Sequence, residues 1–524
     1  MSADGALLAR LDWRFLLPPA ADDRIGHLLL LGGPPGLADA AREAGIAERV
    51  STEVPSAAAA DVVALLRGTP TPLEAAARAL RPGGAAYVES DERRRLWDPA
   101  APLRRGLARL RRCGLTTTGT WALWPEPERW EVCLPLAAPA AVRWFARTLY
   151  PTRTARELAV QTGLRLLPGR SAALLLTRFF AWTAAAAPAA SRPALLADPG
   201  LPPELRRGDL EPALVSHGRE RVLALPFPRR GTRPAAVLKV PRLAAFNGKT
   251  EAEQAVLVRM KQALSAETAR AVPGPRGVVR HRGLAVGIEE YLSGRPLLLT
   301  GSRWRRPLGD QLADLRQAAS WIAGMHRETE QGRSPWGPRE AQTWIEEPCA
   351  AFERRFGTGE NEARLFGAAR ERAQGLRGLP FPVVLRHRDF TPWNLLSDAG
   401  RLRVLDWEGL EPGPPLCDLL HFLTHWAELA RGAPAPAARH AVFHETLIAP
   451  RAGDPVAEAA DAALAGYCAE LRLERAFVPL LLVHTWVEIS LRSAQRGPDA
   501  AYVGVLAAHA GDLFGRPGDA RRAA

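Results

Sequence analysis

The stretch VVLRHRDFTPWNLL, residues 383–396, decides how the second half of this chain is read. An apolar run ends at Leu385, four polar residues follow as Arg386-His387-Arg388-Asp389, and the chain turns apolar again at Leu395. That pattern reads as strand, loop, strand. Asp389 and Asn394 then share one loop, which is either a polar turn or a catalytic loop with both side chains facing one pocket. Two further segments bear on the choice. RLRVLDWEGL (401–410) sets Asp406 at the end of another apolar strand, and AVLKV (236–240) sets Lys239 inside a strand. Arginine supplies nearly every cation here, and only Lys239, Lys249 and Lys261 are lysine, so a lysine within an apolar strand asks for a role.

Phosphoryl transfer from a nucleotide needs a cation on the phosphates, oxygen ligands for a divalent metal and a carboxylate near the acceptor hydroxyl. The chain offers these in workable order. Lys239 can reach phosphates, Glu253 on the following helix can hold it as an ion pair, Asp389 can take or orient the acceptor proton, and Asn394 and Asp406 can ligate magnesium.

Composition bounds the alternatives. A chain of 524 residues predicts two or three domains, and 47% hydrophobic residues excludes a disordered chain. The five cysteines are widely separated with no C-x-x-C pair, so neither a zinc site nor a disulfide framework is indicated, and a reducing cytoplasm is expected. The first residues carry acidic groups and no apolar core of signal length. A net charge of +13 raises nucleic acid or anionic lipid, but the arginines are scattered rather than clustered, so nucleic acid is not an expected partner. The run SAALLLTRFFAWTAAAAPAA (171–190) is interrupted by Arg178 and closed by Pro188, which argues for packed helix and against a bilayer span; peripheral membrane contact stays open.

Residues 1–145 alternate short apolar strands (27–33, 49–54, 61–66, 81–90) with helices (38–45, 72–80), which predicts a parallel, doubly wound α/β domain. Residues 146–205 read as a helical linker, 206–298 as a small sheet carrying one helix, 299–510 as mainly helical, and 511–524 as a disordered tail.

HRDFTPWNLL, RLRVLDWE and PPLCDLLHF together resemble the aminoglycoside phosphotransferase and choline kinase family, relatives of the protein kinases, over about 206–510. The resemblance implies an α+β bilobal kinase-like domain that uses ATP and Mg2+. It makes Asp389 the catalytic base, Asn394 and Asp406 the metal ligands, and Lys239 the contact to the α/β-phosphates, positioned by Glu253 or by the nearby Glu251. It places the adenine hinge around Glu290 to Leu292 and gives His387 and Asp418 a supporting role. The hairpin VSHGRERVLA has a single glycine, Gly218, for cradling phosphate. The N-terminal domain resembles a class I methyltransferase through LLLLGGPPG and ALRPGGAAYVE, with Leu31 where an acid is expected, two prolines in the turn, and Glu53 only roughly in place for the ribose. A degenerate domain is expected, without bound S-adenosylmethionine.

Residues 410–475 hold nine acidic residues against five arginines in a basic chain, which favours a neutral or cationic polyhydroxyl acceptor. The combination of modules is similar to family members of bacterial polysaccharide or glycolipid assembly, so a sugar or glycan hydroxyl is the expected small-molecule acceptor. An aminoglycoside-modifying kinase is the enzyme alternative. A pseudokinase or scaffold among polysaccharide-assembly partners is the non-enzymatic one.

Overall fold

The computed structural model describes residues 5–19, 25–90, 101–150, 154–166, 171, 176, 180–189, 191–297, 306–398, 400–433, 435–492 and 497–515. Two compact units emerge, residues 1–255 with 274–292, and residues 256–273 with 293–524.

The first unit is built on one twelve-stranded sheet. Its strands are β1 (Ile25–Leu31), β2 (Ala47–Ser51), β3 (Ala60–Leu65), β4 (Leu80–Glu89), β5 (Thr116–Trp124), β6 (Val132–Pro135), β7 (Ala181–Ala187), β8 (Leu210–His217), β9 (Arg221–Pro228), β10 (Val237–Pro241), β11 (Pro275–His281) and β12 (Leu284–Glu289). They lie in the order β11-β12-β10-β9-β8-β6-β5-β7-β4-β3-β1-β2. β2, β1, β3 and β4 run parallel, as the alternation of strands and helices predicts; from β7 onward every pairing is antiparallel. β1 and β3 are apolar and buried on both faces over nearly their whole length, the pattern of a parallel strand covered on each side.

The stretch 146–205, expected as a helical linker, is helical over Ala155–Leu166 but supplies β7 between β4 and β5. Its sequence, AWTAAAA, carries the residue with the highest helix propensity and little strand signal. Tertiary fit overrides that preference. Alanine methyls let the helix Ala101–Arg112 come close, and a Cβ at Gly106 would stand 2.2 Å from the Trp182 ring. The strands expected for the small sheet, 206–298, continue the same sheet through the pairing of β6 with β8. The rest of the 171–190 run and the tail from 516 lie outside the described residues.

The segment LDWRFLLP is a buried part of this unit. Trp13, Phe15, Leu16 and Leu17 enter its core, and Asp12, fully buried, meets Arg242 just past β10.

The second unit is mainly helical. It also contains β13 (Arg295–Pro296), β14 (Gly332–Pro335), β15 (Pro380–Arg386), β16 (Leu395–Asp398), β17 (Arg401–Val404) and β18 (Glu411–Gly413), in two three-stranded sheets ordered β13-β16-β17 and β14-β15-β18. A large core of leucines and aromatics gathers its helices, with Trp336, Phe381, Trp407 and Trp486 almost wholly buried. Among the described residues no helix is long and apolar enough to cross a membrane.

Candidate active site

In the first unit, Lys239 sits in β10 with its ammonium ion-paired to Glu253 and 2.9 Å from Glu289 Oε1. Strand register explains this. Lys239 pairs with Gly287 of β12, and side chains alternate, so Lys239, Gly287 and Glu289 share a face. Glycine at 287 lets the helix Asn247–Ala263 dock there, because a Cβ would stand 2.8 Å from Thr250 Cγ2. Docking brings Glu253 over the lysine. Arg221 Nη1 donates to Glu253 Oε2 (2.8 Å), and Gln254 Nε2 donates to Glu289 Oε1 (3.2 Å). Two cations and two carboxylates, each under 10% exposed, thus compensate one another. Burial raises the Glu289 carboxyl above its ordinary range, with Lys239 opposing and Glu253 adding to the shift.

Glu251, the alternative partner, points elsewhere and pairs with Arg280. Glu290 is exposed at the open end of the β11–β12 pair, its backbone N donating to Gly274 O (2.8 Å) and its Oε2 accepting from Gly274 N (3.3 Å). Leu292 is buried. Gly218 takes a left-handed φ of 60° in the β8–β9 turn, and its carbonyl accepts from Arg242 Nη1 at 2.8 Å.

In the second unit, the loop between β15 and β16 carries His387, Asp389 and Asn394. Asp418, in the first turn of the helix Cys417–Arg431, anchors it: Oδ2 accepts from His387 N (2.6 Å) and Oδ1 from Arg388 N (2.8 Å). Those two bonds hold Arg388 at a φ of 68°, a left-handed conformation rare for arginine. His326 Nε2 stands 3.2 Å from Asp418 Oδ2, and its Nδ1 lies 2.6 Å from the Tyr467 hydroxyl, which accepts from Leu416 N at 2.8 Å. The hydroxyl proton therefore goes to Nδ1, and Nε2 donates to the carboxylate. Burial alone would raise the Asp418 carboxyl, but the His326 hydrogen bond and neighbouring cationic groups bring it down to about 2. His387 Nε2 reaches Leu405 O at 3.0 Å, and its ring packs on Trp407.

Asn394 Nδ2 donates to the Asp389 backbone carbonyl (2.9 Å) and to Asp389 Oδ2 (2.7 Å). The β16–β17 hairpin pairs Leu395 with Val404, and Leu405 N donates to Asn394 O (2.8 Å). Asp406, the next residue, turns at a φ of 65° beside the loop. The spacing from Asn394 to Asp406 is therefore the length of one hairpin. Burial raises the Asp389 carboxyl; among neighbours His387 opposes the rise and Asp406 adds to it.

Several functional-looking groups escape sequence reading. Arg386 and Arg388 both pair with Glu411 and Glu488, and Arg492 donates to the Arg388 carbonyl at 2.6 Å. Glu289 could have been found from strand parity, since two consecutive glutamates ending a strand face opposite ways. His326 and Glu488 had no local signal. Trp393 is 42% exposed with its ring 4.7 Å from His425, whereas Trp407 is buried.

Residues 227–476 match the family model described as the phosphotransferase enzyme family. The match contains Lys239, Glu253, Glu289, Asp389, Asn394, Asp406 and Asp418, and residues 1–226 lie outside it. No curated relative matches the chain. Similar solved structures include a glucosamine kinase in complex with glucosamine, ADP and inorganic phosphate (15% identity, 59% of this chain and 91% of that one, TM-score 0.36). Others are the macrolide 2'-phosphotransferase MphH of Brachybacterium faecium (18%, 57% and 92%, TM-score 0.34) and a thermostable mutant of the aminoglycoside phosphotransferase APH(4)-Ia with AMP-PNP and hygromycin B (17%, 59% and 95%, TM-score 0.38).

Proposed function

We propose that this chain, whose residues 227–476 match the model of the phosphotransferase enzyme family, moves the γ-phosphate of ATP to a hydroxyl of a sugar or glycan, with Asp389 as base. The observation that carries the reading is the fixed Asp389–Asn394 pair beside Asp406. Asn394 spends its amide N–H groups on Asp389, which leaves its amide oxygen for a cation. Burial first, and then the like charge of Asp406, raise the Asp389 carboxyl, and a divalent cation would offset the like-charge part. The donors are hard oxygens, so magnesium fits them. When bound, magnesium would neutralise the phosphate charge that builds during transfer.

In this reading Asp389 accepts a hydrogen bond from the acceptor hydroxyl and takes its proton as the oxygen attacks phosphorus. Asn394 fixes the carboxylate's rotamer through its hydrogen bonds. Asp418 keeps the loop in place through two backbone amides, so His387 and Asp418 position and do not react. Lys239, held by Glu253 and Glu289, presents its ammonium to nucleotide phosphate. Backbone groups near Glu290 and Leu292 would meet adenine. The acidic balance of residues 410–475 supports a neutral or cationic polyhydroxyl acceptor.

Residues 1–145 are read as a degenerate relative of the class I methyltransferases. The parallel run of β2, β1, β3 and β4 supports that reading. The room made by glycines in LGGPPG is taken by the protein itself: a Cβ at Gly33 would meet Leu66 and Leu37 within 3 Å, and one at Gly32 would meet Leu66 O at 2.9 Å. Glu53 is exposed beyond β2. Neither feature favours S-adenosylmethionine.

The test is a thermal shift with ATP, with and without magnesium, on the unmodified protein and on Asp406→Ala. A magnesium-dependent rise that Asp406→Ala loses supports the reading. No response of the unmodified protein to ATP contradicts it.

A further inference from the structure

Apart from the 387–406 loop, the second unit carries another group of ligand-type side chains. His444 opens the π-helical turn His444–Ile448, His509 joins the helices Ala500–Ala508 and Ala510–Phe514, and Asp512 lies one turn further on. Asp512 Oδ2 stands 3.2 Å from His509 Nδ1 and 3.5 Å from His444 Nε2. One ligand atom from each of the three lies within 4.8 Å of the others, and the imidazole centroids are 3.9 Å apart.

These dimensions are close to those of a metal site. Donors about 2.0–2.1 Å from a tetrahedral zinc stand ~3.3 Å from one another, so both carboxylate–imidazole spacings already suit a shared ion. Only the imidazole–imidazole spacing would have to tighten by ring rotation. A purely hydrogen-bonded trio accounts for the arrangement less well. His444 Nε2 is shut off from solvent without a hydrogen-bond partner, its nearest carboxylate oxygen standing at the outer edge of bonding distance.

We propose that His444, His509 and Asp512 bind a divalent transition metal of the zinc class, tying the turn at 444 to the C-terminal helices. Two nitrogens and one oxygen select zinc or cobalt over magnesium and calcium, which take all-oxygen sets. Three protein ligands leave a coordination position open. His444 and His509 line a cavity of about 480 Å3 together with His440, Glu445 and Gly504, which gives room for water or a small ligand at that position.

The experiment uses the full chain, stripped with chelator and returned to excess magnesium so that all-oxygen sites are filled, then titrated with cobalt(II). One equivalent taken up with the intense visible bands of tetrahedral cobalt, and displaced by zinc, is the expected result. His509→Ala and Asp512→Asn, both partly exposed positions, should weaken uptake at least tenfold, with the fold checked by circular dichroism. His440→Ala, which lines the cavity outside the ligand set, should keep it. Absence of cobalt uptake by the folded unmodified protein, or equal uptake by His509→Ala and Asp512→Asn, overturns the proposal.

Discussion

Asp12 and Arg242, 230 positions apart in the chain, meet as a buried ion pair in which Arg242 Nη2 donates to Asp12 Oδ2 at 2.8 Å and Nε reaches both carboxylate oxygens at 3.0 Å. Arg242 follows the strand that carries Lys239, and Arg14 Nη2 donates back to the Arg242 carbonyl at 2.7 Å. The N-terminal segment is thus a brace of the lysine strand, although the family match starts only at residue 227.

Removing Asp12 strands a buried guanidinium. Asp12→Ala should cost about 3–5 kcal/mol in chemical denaturation. A chain truncated to begin at residue 206 loses β6, the partner of β8, and should aggregate or fail to fold through the open edge. Soluble yield and circular dichroism check both outcomes.

Lys239→Met leaves Glu253 and Glu289 buried without the ammonium that pairs with both, while Arg221 still pairs with Glu253. The variant should lose ATP turnover and also stability. Adding Glu289→Gln should restore much of the denaturation midpoint without restoring turnover. That split separates the lysine's role on the nucleotide from its role in the core.

The pH profile should show Asp389 acting as a base. A base must be ionised, so kcat should fall as pH drops through the Asp389 pKa, and the acid limb should move to lower pH as magnesium is raised, because the cation offsets the Asp406 charge that helps to raise this carboxyl. Asp389→Asn should lower kcat on the order of 10²–10⁴-fold while nucleotide affinity is kept. Steady-state kinetics and an ATP titration check the pair.

Asp418 is brought down to about 2 in the folded chain, so unfolding at low pH binds a proton there. Its contribution is fully present above about pH 4 and is lost as pH falls toward 2, worth about 2–3 kcal/mol. Asp418→Asn should flatten the acid-unfolding curve in that window. It should also loosen the loop, because His387 N and Arg388 N bond to different carboxylate oxygens and the amide puts an NH2 donor in place of one of them.

The 387–406 loop was legible because its contacts are local: Asp389, Asn394 and Asp406 lie within one strand-loop-hairpin, and sequence spacing maps directly onto space. Lys239 stood out by composition. Glu289 did not, since choosing between it and Glu290 needs the register of β12 against β10. The strand Ala181–Ala187 was hidden because alanine favours helix, and only packing against Ala101–Arg112 through Gly106 and Trp182 makes the strand win. The joining of the expected first and second sheets depends on the β6–β8 pairing, a long-range contact without a local signature. Asp12 and Arg242 are hidden for the same reason.

Acceptor-stimulated release of ADP tests the central claim most directly. The full chain with ATP and magnesium, screened against a panel of sugars and aminoglycosides, should release ADP faster with at least one polyhydroxyl acceptor, form its phosphate ester, and lose this activity in Asp389→Asn. If the folded protein releases no ADP with any acceptor, or if Asp389→Asn turns over at the unmodified rate, the account is contradicted.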